Sequence, residues 1–175
     1  MIPVLTTDRL VLRPHRAEDL DAVAAMTGDA AVMRYIGGVP QPREDSWRRM
    51  LCGPAMWMLL GYGYWIVERR ADGAVIGQLG FADFKRAMEP TIEGLPELGY
   101  LFASTAHGQG YASEGVAAAL GWADATLSHD QIVAIIDEAN APSIRVVEKA
   151  GFTHREPASY RDDTILLFRR FRRNG

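Results

Sequence analysis

The sequence contains one cysteine, Cys52, among its 175 residues. An internal disulfide is therefore excluded, and a reducing compartment fits. Cys52 lies among methionines and a tryptophan, where a small apolar side chain is expected to pack. Histidine is also scarce, and His15, His129 and His154 lack the mutual spacing of a metal site, so no metal is expected. Neither sign of charge dominates: 19 Lys and Arg against 22 Asp and Glu leave a net charge of -3, which provides no field to attract nucleic acid. The basic end, Arg169-Arg170-Phe171-Arg172-Arg173, reads as a solvated tail. The N-terminus lacks the charged-then-apolar layout of a secretory signal, which makes a cytoplasmic location the expectation. A charge-free stretch from Met50 to Val67 approaches bilayer length, but Gly53, Pro54, Gly61 and Gly63 interrupt it. It reads as a helix end, disturbed at Gly53-Pro54, running into a buried strand near Tyr62, and no membrane association is expected.

A hydrophobic content of 48% is enough for one substantial core, so residues 1–175 are expected to form a single domain. Arg9–Arg13 alternates as a strand, and Pro14 ends it before a helix carrying Leu20, Val23, Ala24 and Thr27. A short helical piece spans Ala30–Ile36, and a further helix begins at Pro42. Tyr64–Arg69 and Val75–Phe81 read as an antiparallel pair joined across Ala71-Asp72-Gly73. Lys85–Pro96 loses periodicity and reads as a mobile loop of the kind that borders substrate sites. Glu97–Ala103 is a strand, Tyr111–Leu127 a helix with an apolar face, Gln131–Ile136 a buried strand, and Asn140–Ala150 a helix with Pro142 in its first turn. Strands from Phe152 and over Thr164–Phe168 complete the chain. The order predicts a mixed α/β fold, a mainly antiparallel central sheet with helices on both faces.

The chemistry centres on His107-Gly108-Gln109-Gly110-Tyr111-Ala112, where a strand delivers two near-adjacent glycines into a helix start. Glycines permit close backbone approach, and the N-H groups of a first helical turn point at an anion. No Gly-Lys-Ser/Thr follows, which removes the P-loop, and a dinucleotide fingerprint would place its third small residue on Ser113 without a suitable acidic partner downstream. A second element, Asn140-x-x-Ser143 with Lys149-x-Gly151-Phe152, follows one strand later.

Taken with Gly108–Glu114, these residues resemble the GNAT superfamily of N-acetyltransferases. Thr7-Asp8-Arg9-Leu10-x-Leu12-Arg13, Met33-Arg34-Tyr35 and Glu97-Leu98-Gly99-Tyr100 resemble in particular the branch that includes the ribosomal-protein N-terminal acetyltransferases. The resemblance implies the acyl-coenzyme A N-acyltransferase fold and acetyl-coenzyme A as co-substrate. It implies a pyrophosphate on the amides of His107, Gly108, Gln109, Gly110, Tyr111 and Ala112, with Ser113 next to them, and pantetheine beside Leu101, Phe102 and Ala103. Splaying of the strands ending at Ala103 and starting at Gln131 would open a slot that an amide-bearing arm fills like an added strand. By the same resemblance Asn140 holds the pantetheine arm and Ser143 lies near the sulfur. Helix capping is the plainer role for both. His107 departs from the Arg or Gln often found at its position in the family.

Acetyl transfer to an amine needs a base, donors for the developing oxyanion, and an acid or hydrogen-bond donor for the departing thiolate. The family is understood to attack directly, so Cys52 is not expected to act as a nucleophile. Glu97 is the candidate base, direct or through water, against a plain role as a surface strand carboxylate. Ser143 is the candidate acid, and the Phe102 amide the oxyanion donor. Tyr35, Trp57, Tyr62 and Trp65 are candidates to line an acceptor pocket, though aromatics of this kind more often form core. Asp83 and Glu93 either attract the amine or are solvated loop charges. The acceptor is an amine, either a peptide N-terminus or a small molecule, and the protein is expected to be a monomer or homodimer. The alternative function is a degenerate acyl-coenzyme A-binding module without turnover. Segments 30–42, 85–96 and 159–163 are expected to shape the acceptor site.

Overall fold

A computed structural model describes residues 1–161 and 163–172. Asp162, in the turn expected to shape the acceptor site, and Arg173, in the basic end, lie outside the described residues. The chain order is β1 (Leu5–Thr6), β2 (Leu10–Arg13), α1 (Leu20–Thr27), α2 (Ala30–Met33), α3 (Arg43–Leu60), β3 (Tyr64–Arg69), β4 (Val75–Ala82), β5 (Met88–Glu89), β6 (Glu97–Phe102), α4 (Tyr111–Thr126), β7 (Gln131–Ile136), α5 (Ala141–Lys149), β8 (His154–Tyr160) and β9 (Asp163–Phe171). The strands form one sheet in the order β1-β2-β3-β4-β6-β7-β9-β8-β5. Every pair is antiparallel except β6 with β7.

Period-two alternation sends the side chains of β3 and β4 to opposite faces, and each face gathers its own core. Trp65, Val67, Leu79 and Phe81 pack with Val116, Ala119, Leu120 and Ala123 of α4 and with Val147 of α5. On the other face Ile66 and Leu101 meet Val23 and Met26 of α1, Val32 of α2 and Met50 of α3. The expected mixed sheet, mainly antiparallel and covered on both faces, is the observed architecture.

Several local expectations need correction. The helix expected to be disturbed at Gly53-Pro54 runs unbroken to Leu60 and ends on left-handed Gly61, φ 76°. Proline removes one donor from such a helix, but close packing on both sides holds it: a Cβ on Gly53 would come within 2.6 Å of the His15 ring, and one on Gly63 within 2.6 Å of Trp57. Cys52 points outward from α3 and is exposed rather than packed. Within the loop expected over 85–96, β5 pairs with the end of β8, Met88 opposite Tyr160. β1 adds an edge strand that the sequence pattern did not signal.

The basic end is not a solvated tail. β9 extends to Phe171, where Arg169 bonds Glu156 at 2.9 Å and Arg170 holds Asp124 through two bonds of 2.7 and 2.6 Å. Arg172 donates to the carbonyls of Leu127 and Asp124 at the end of α4. Arg170 and Arg172 pin the end of the last strand to α4, and cations near a helix C-terminus also suit its dipole.

Candidate active site

The parallel contact of β6 with β7 is confined to one position, Glu97 opposite Val133. Val133 N-H donates to the Pro96 carbonyl at 3.0 Å, so the strands join at their starts and part beyond. The opposite edge of β6 stays paired with β4 from Glu97 to Phe102, and Ala103 N-H reaches Ile76 at 2.9 Å. Alternation along the strand therefore turns the N-H groups of Tyr100 and Phe102 toward the parting. An unpaired strand edge of this kind is built to accept another extended, amide-bearing chain.

At the end of β6 a short 3-10 turn, Ser104–Ala106, leads into the glycine loop. Gly108 (φ 73°) and Gly110 (φ 80°) adopt left-handed conformations in which other residues are strained. Gly110 is the N-cap of α4, whose first hydrogen bond is Glu114 N-H to Gly110 at 3.1 Å. The amides of Gly108 to Ser113 have no acceptor among the described residues, as the start of a helix dictates. Clustered N-H groups at the positive end of a 16-residue helix make a strong anion site.

The loop is clamped from outside. Glu114 accepts from the Thr7 hydroxyl at 2.6 Å, from the Arg9 amide at 2.9 Å and from Arg9 Nε at 2.6 Å. Arg9 also donates to the Gln109 carbonyl at 2.9 Å and lies over the Tyr111 ring at 4.6 Å. Burial raises the pKa of the Glu114 carboxyl, but the bonds from Thr7 and Arg9 outweigh it and hold the group below its ordinary value. The Thr7-x-Arg9 opening is thus the brace of the glycine loop.

His107 plays a different part from the loop glycines. Its amide donates to Ser104 at 3.2 Å and its ring Nε2 lies 2.9 Å from the Phe102 carbonyl, which requires the proton on Nε2. Both of its donors are committed to the end of β6, and the run of free amides begins at Gly108. Asn140 caps α5 through Oδ1, which accepts from the Ser143 amide at 3.3 Å. The Tyr100 hydroxyl donates to the Ser143 carbonyl at 3.1 Å, tying β6 to the start of α5. Burial pushes this phenol up to about 12, so it stays a donor. The tie holds the Ser143 turn to the strand that borders the slot.

On the α1 and α3 face of the sheet, Glu97 is buried, not a surface carboxylate: it is 4% exposed. Arg86 clamps it through bonds of 2.7 and 2.9 Å and donates to the Tyr160 hydroxyl at 3.0 Å. A carboxylate has four lone-pair sites, so the clamp leaves room for a further donor. Tyr64, Gly80 and Gly99 lie in register across β3, β4 and β6, two positions along from Glu97 on the same face. The Tyr64 ring crosses these glycines, and a Cβ on Gly99 would collide with its hydroxyl. Burial pushes the Tyr64 phenol far above its ordinary value, with the Glu97 charge adding to the effect.

The region from residue 9 to 153 matches the family model described as an acetyltransferase (GNAT) domain. The chain belongs to the GNAT acetyltransferases. It is 28% identical over 173 residues to the uncharacterized protein YkkB of Bacillus subtilis, covering 95% of this chain and 94% of that protein. Among solved structures, a putative GnaT-family acetyltransferase from Bordetella pertussis superposes with a TM-score of 0.83 at 29% identity, over 97% of this chain and 99% of that one. Spermidine N-acetyltransferase from Vibrio cholerae, solved with CoA and spermine, superposes with a TM-score of 0.73 over 95% and 97% of the two chains. At 16% identity that likeness speaks for the fold alone.

Within this GNAT domain the remaining candidates divide cleanly. Trp57 and Trp65 are core, stacked edge-to-face with each other at 4.8 Å and with Trp122 at 5.1 and 5.2 Å. Tyr62 is buried against His129, and Tyr35 lies beneath the Arg34 guanidinium. The Asp83 side chain is largely covered and is held by Lys85 Nζ at 2.6 Å and by the amides of Lys85 and Gly94 at 3.1 and 3.0 Å. It stabilises the turn of its loop, and Glu93 is exposed nearby, 3.6 Å from Lys85. Among the described residues no group of three or more His, Cys, Asp or Glu is placed to hold a metal ion, and no helix is long and apolar enough to cross a membrane. Sequence reading missed Tyr64, Arg86 and Tyr100. Tyr100 stood inside a quoted motif, and glycines opposite Tyr64 were the available sign that a large side chain crosses that part of the sheet.

Proposed function

We propose that this GNAT acetyltransferase joins acetyl-coenzyme A and its amine acceptor in one ternary complex, with the acceptor attacking directly from the Glu97 face. The observation that carries this reading is the continuity of the parted β6 edge with the free amides of Gly108 to Ser113. An extended amide-bearing arm and a pyrophosphate are the two chemical parts that such a surface accommodates in sequence. Gly108, Gln109, Gly110, Tyr111, Ala112 and Ser113 hold the pyrophosphate, and Leu101, Phe102 and Ala103 border the pantetheine. His107 shapes the loop through its bonds to Ser104 and Phe102. Asn140 fixes the start of α5 and directs its remaining amide group toward the arm.

When bound, acetyl-coenzyme A supplies an acyl carbon activated by its thioester. Glu97 receives the amine proton through a water, using the lone pairs that Arg86 leaves free. The Phe102 N-H, turned toward the slot, donates to the acyl oxygen as negative charge develops there. The Ser143 hydroxyl, held to β6 by Tyr100, donates to the departing sulfur. Cys52 lies on the outer side of α3 and takes no part.

The likeness to ribosomal-protein N-terminal acetyltransferases rests partly on Thr7, Arg9 and the residues around Glu114. In this chain those residues brace the cofactor loop, so they carry no information about the acceptor. The reading is tested by thermal shift with acetyl-coenzyme A and by thiol release over an amine panel. A raised melting temperature together with thiol release supports transfer. Binding without release on every amine supports instead an acyl-coenzyme A-binding module, a role in which the Arg86 clamp would simply lock Glu97 in place.

A further inference from the structure

The face that receives the acceptor has an unusual charge balance for an enzyme that handles amines. Its carboxylates are neutralised by the protein itself: Glu97 is bidentate to Arg86, and Asp83 is bound to Lys85 and two amides. A polycationic acceptor is recognised by several uncompensated carboxylates. None of the described carboxylates that border Tyr64 offers one.

A cation does stand uncompensated there. Arg49 lies on α3 one turn before Gly53, on the same side of the helix, and Gly53 is packed beside Gly63 at the start of β3. This sets the half-buried Arg49 near the start of β3, on the side of α3 that packs there. Its neighbour Arg48 is taken up by Glu44 and Asp45, whereas Arg49 has no carboxylate partner among the described residues. The Tyr64 hydroxyl, also without a hydrogen-bond partner there, lies over Gly99, two positions along β6 from Glu97 and its Arg86 clamp. This part of the face therefore carries one hydroxyl and one spare positive charge beside a neutral ion pair.

We infer that the acceptor is a small amine bearing a carboxylate close to its amino group, an amino acid in its general chemistry, with Arg49 binding the carboxylate and the Tyr64 hydroxyl accepting an N-H of the amine. The hydrogen bond to Tyr64 leaves the nitrogen lone pair facing β6. A side chain at position 99 would displace the hydroxyl, which gives Gly99 a reason beyond strand packing. This inference deepens the acetyl-transfer reading and rests on it.

The test is thiol release from acetyl-coenzyme A by the full chain, with each protein amino acid beside its carboxamide, and with spermidine and kanamycin as polycations. The expected result is a best acceptor whose kcat/KM exceeds that of its own carboxamide by about tenfold or more, with the polycations poorer still. In Arg49→Gln the KM for that acid should rise about tenfold while the KM for acetyl-coenzyme A and the rate with the carboxamide hold, and Arg49→Lys should recover part of the loss. Tyr64→Phe should lower kcat/KM for acid and carboxamide alike. A carboxamide or polycation preferred over every acid would overturn the inference, as would an acid-to-amide ratio that Arg49→Gln leaves unchanged. Cofactor-induced thermal stabilisation without thiol release from any of these amines also overturns it. Failure of acetyl-coenzyme A to bind would instead remove the transfer reading beneath it.

Discussion

The two ends of the proposed active site are made of different material. The proposed cofactor end uses backbone: consecutive amides from Gly108 to Ser113 and an unpaired edge of β6, braced by Thr7 and Arg9 from the turn between β1 and β2 through Glu114. The acceptor end uses side chains that arrive from separate elements, Arg49 from α3, Tyr64 from β3, Arg86 from the loop after β4, Glu97 from β6 and Tyr160 from β8. Backbone donors survive most substitutions, because they need only the right φ and ψ. Side-chain convergence is rewritten by single changes. A fold built in this way keeps one co-substrate and leaves the other open to change.

That contrast is sharpest in substitutions that should damage one end and spare the other. Glu97→Gln keeps the shape of the Arg86 clamp and removes the proposed proton acceptor. It should reduce kcat by about a hundredfold to ten-thousandfold, with the dissociation constant of acetyl-coenzyme A within about twofold of wild type. Steady-state rates and calorimetry on the same preparation check both halves.

A second difference is response to acid. His15 packs against Gly53 of α3 on the acceptor side, and burial pushes its pKa down to about 4 from the ordinary 6.5. The unfolded chain then binds the proton more readily than the folded one, so this stabilisation is whole above about pH 6.5 and is lost as pH falls toward 4. A shift of this size corresponds to at most about 3 kcal/mol. The partly overlapping loss from Asp19, whose carboxyl burial raises but Arg13 holds below its ordinary value, has the same sign at lower pH. Denaturant midpoints from pH 7 to 4 should decline, and His15→Gln should flatten the decline above pH 4. Hydrogen exchange should show α3 opening before α4.

Gly110→Val attacks the cofactor end alone. A β-branched residue at φ 80° costs about 2 kcal/mol, and its Cβ would also press on the Arg9 guanidinium 3.4 Å away. Acetyl-coenzyme A should bind about 30-fold more weakly, since each 1.4 kcal/mol is tenfold. The smallest effect belongs to Ser143→Ala. Removing a donor to the leaving sulfur while Asn140 still caps α5 should lower kcat less than about tenfold and leave the melting temperature unchanged.

The same division of material explains what could be read from sequence. Gly108, Gly110, Asn140 and Ser143 sit at fixed short spacings, and their local geometry follows from capping and left-handed turns, so the loop and cap geometry of this part of the candidate site was legible as a motif. The sheet was legible too, because β3, β4, β6 and β7 alternate or run continuously apolar. Tyr64, Glu97 and Arg86 are brought to one face only by the register of β3, β4 and β6 and by the return of the loop after β4, and no spacing along the chain encodes that arrangement. Pro54 misled because a helix breaker is judged from its own residue, whereas the helix is held by His15 packed on Gly53 and by Gly63 packed on Gly53 and Trp57. The arginines of β9 misled for a similar reason: a run of like charge reads as solvated until Glu156 and Asp124 are placed beside it.

The most direct measurement is a calorimetric titration of acetyl-coenzyme A into wild type, Glu97→Gln and Gly110→Val. The two-ended account predicts equal affinity for wild type and Glu97→Gln and roughly 30-fold weaker binding for Gly110→Val. Equal affinity for all three, or no binding by the wild type, would contradict it.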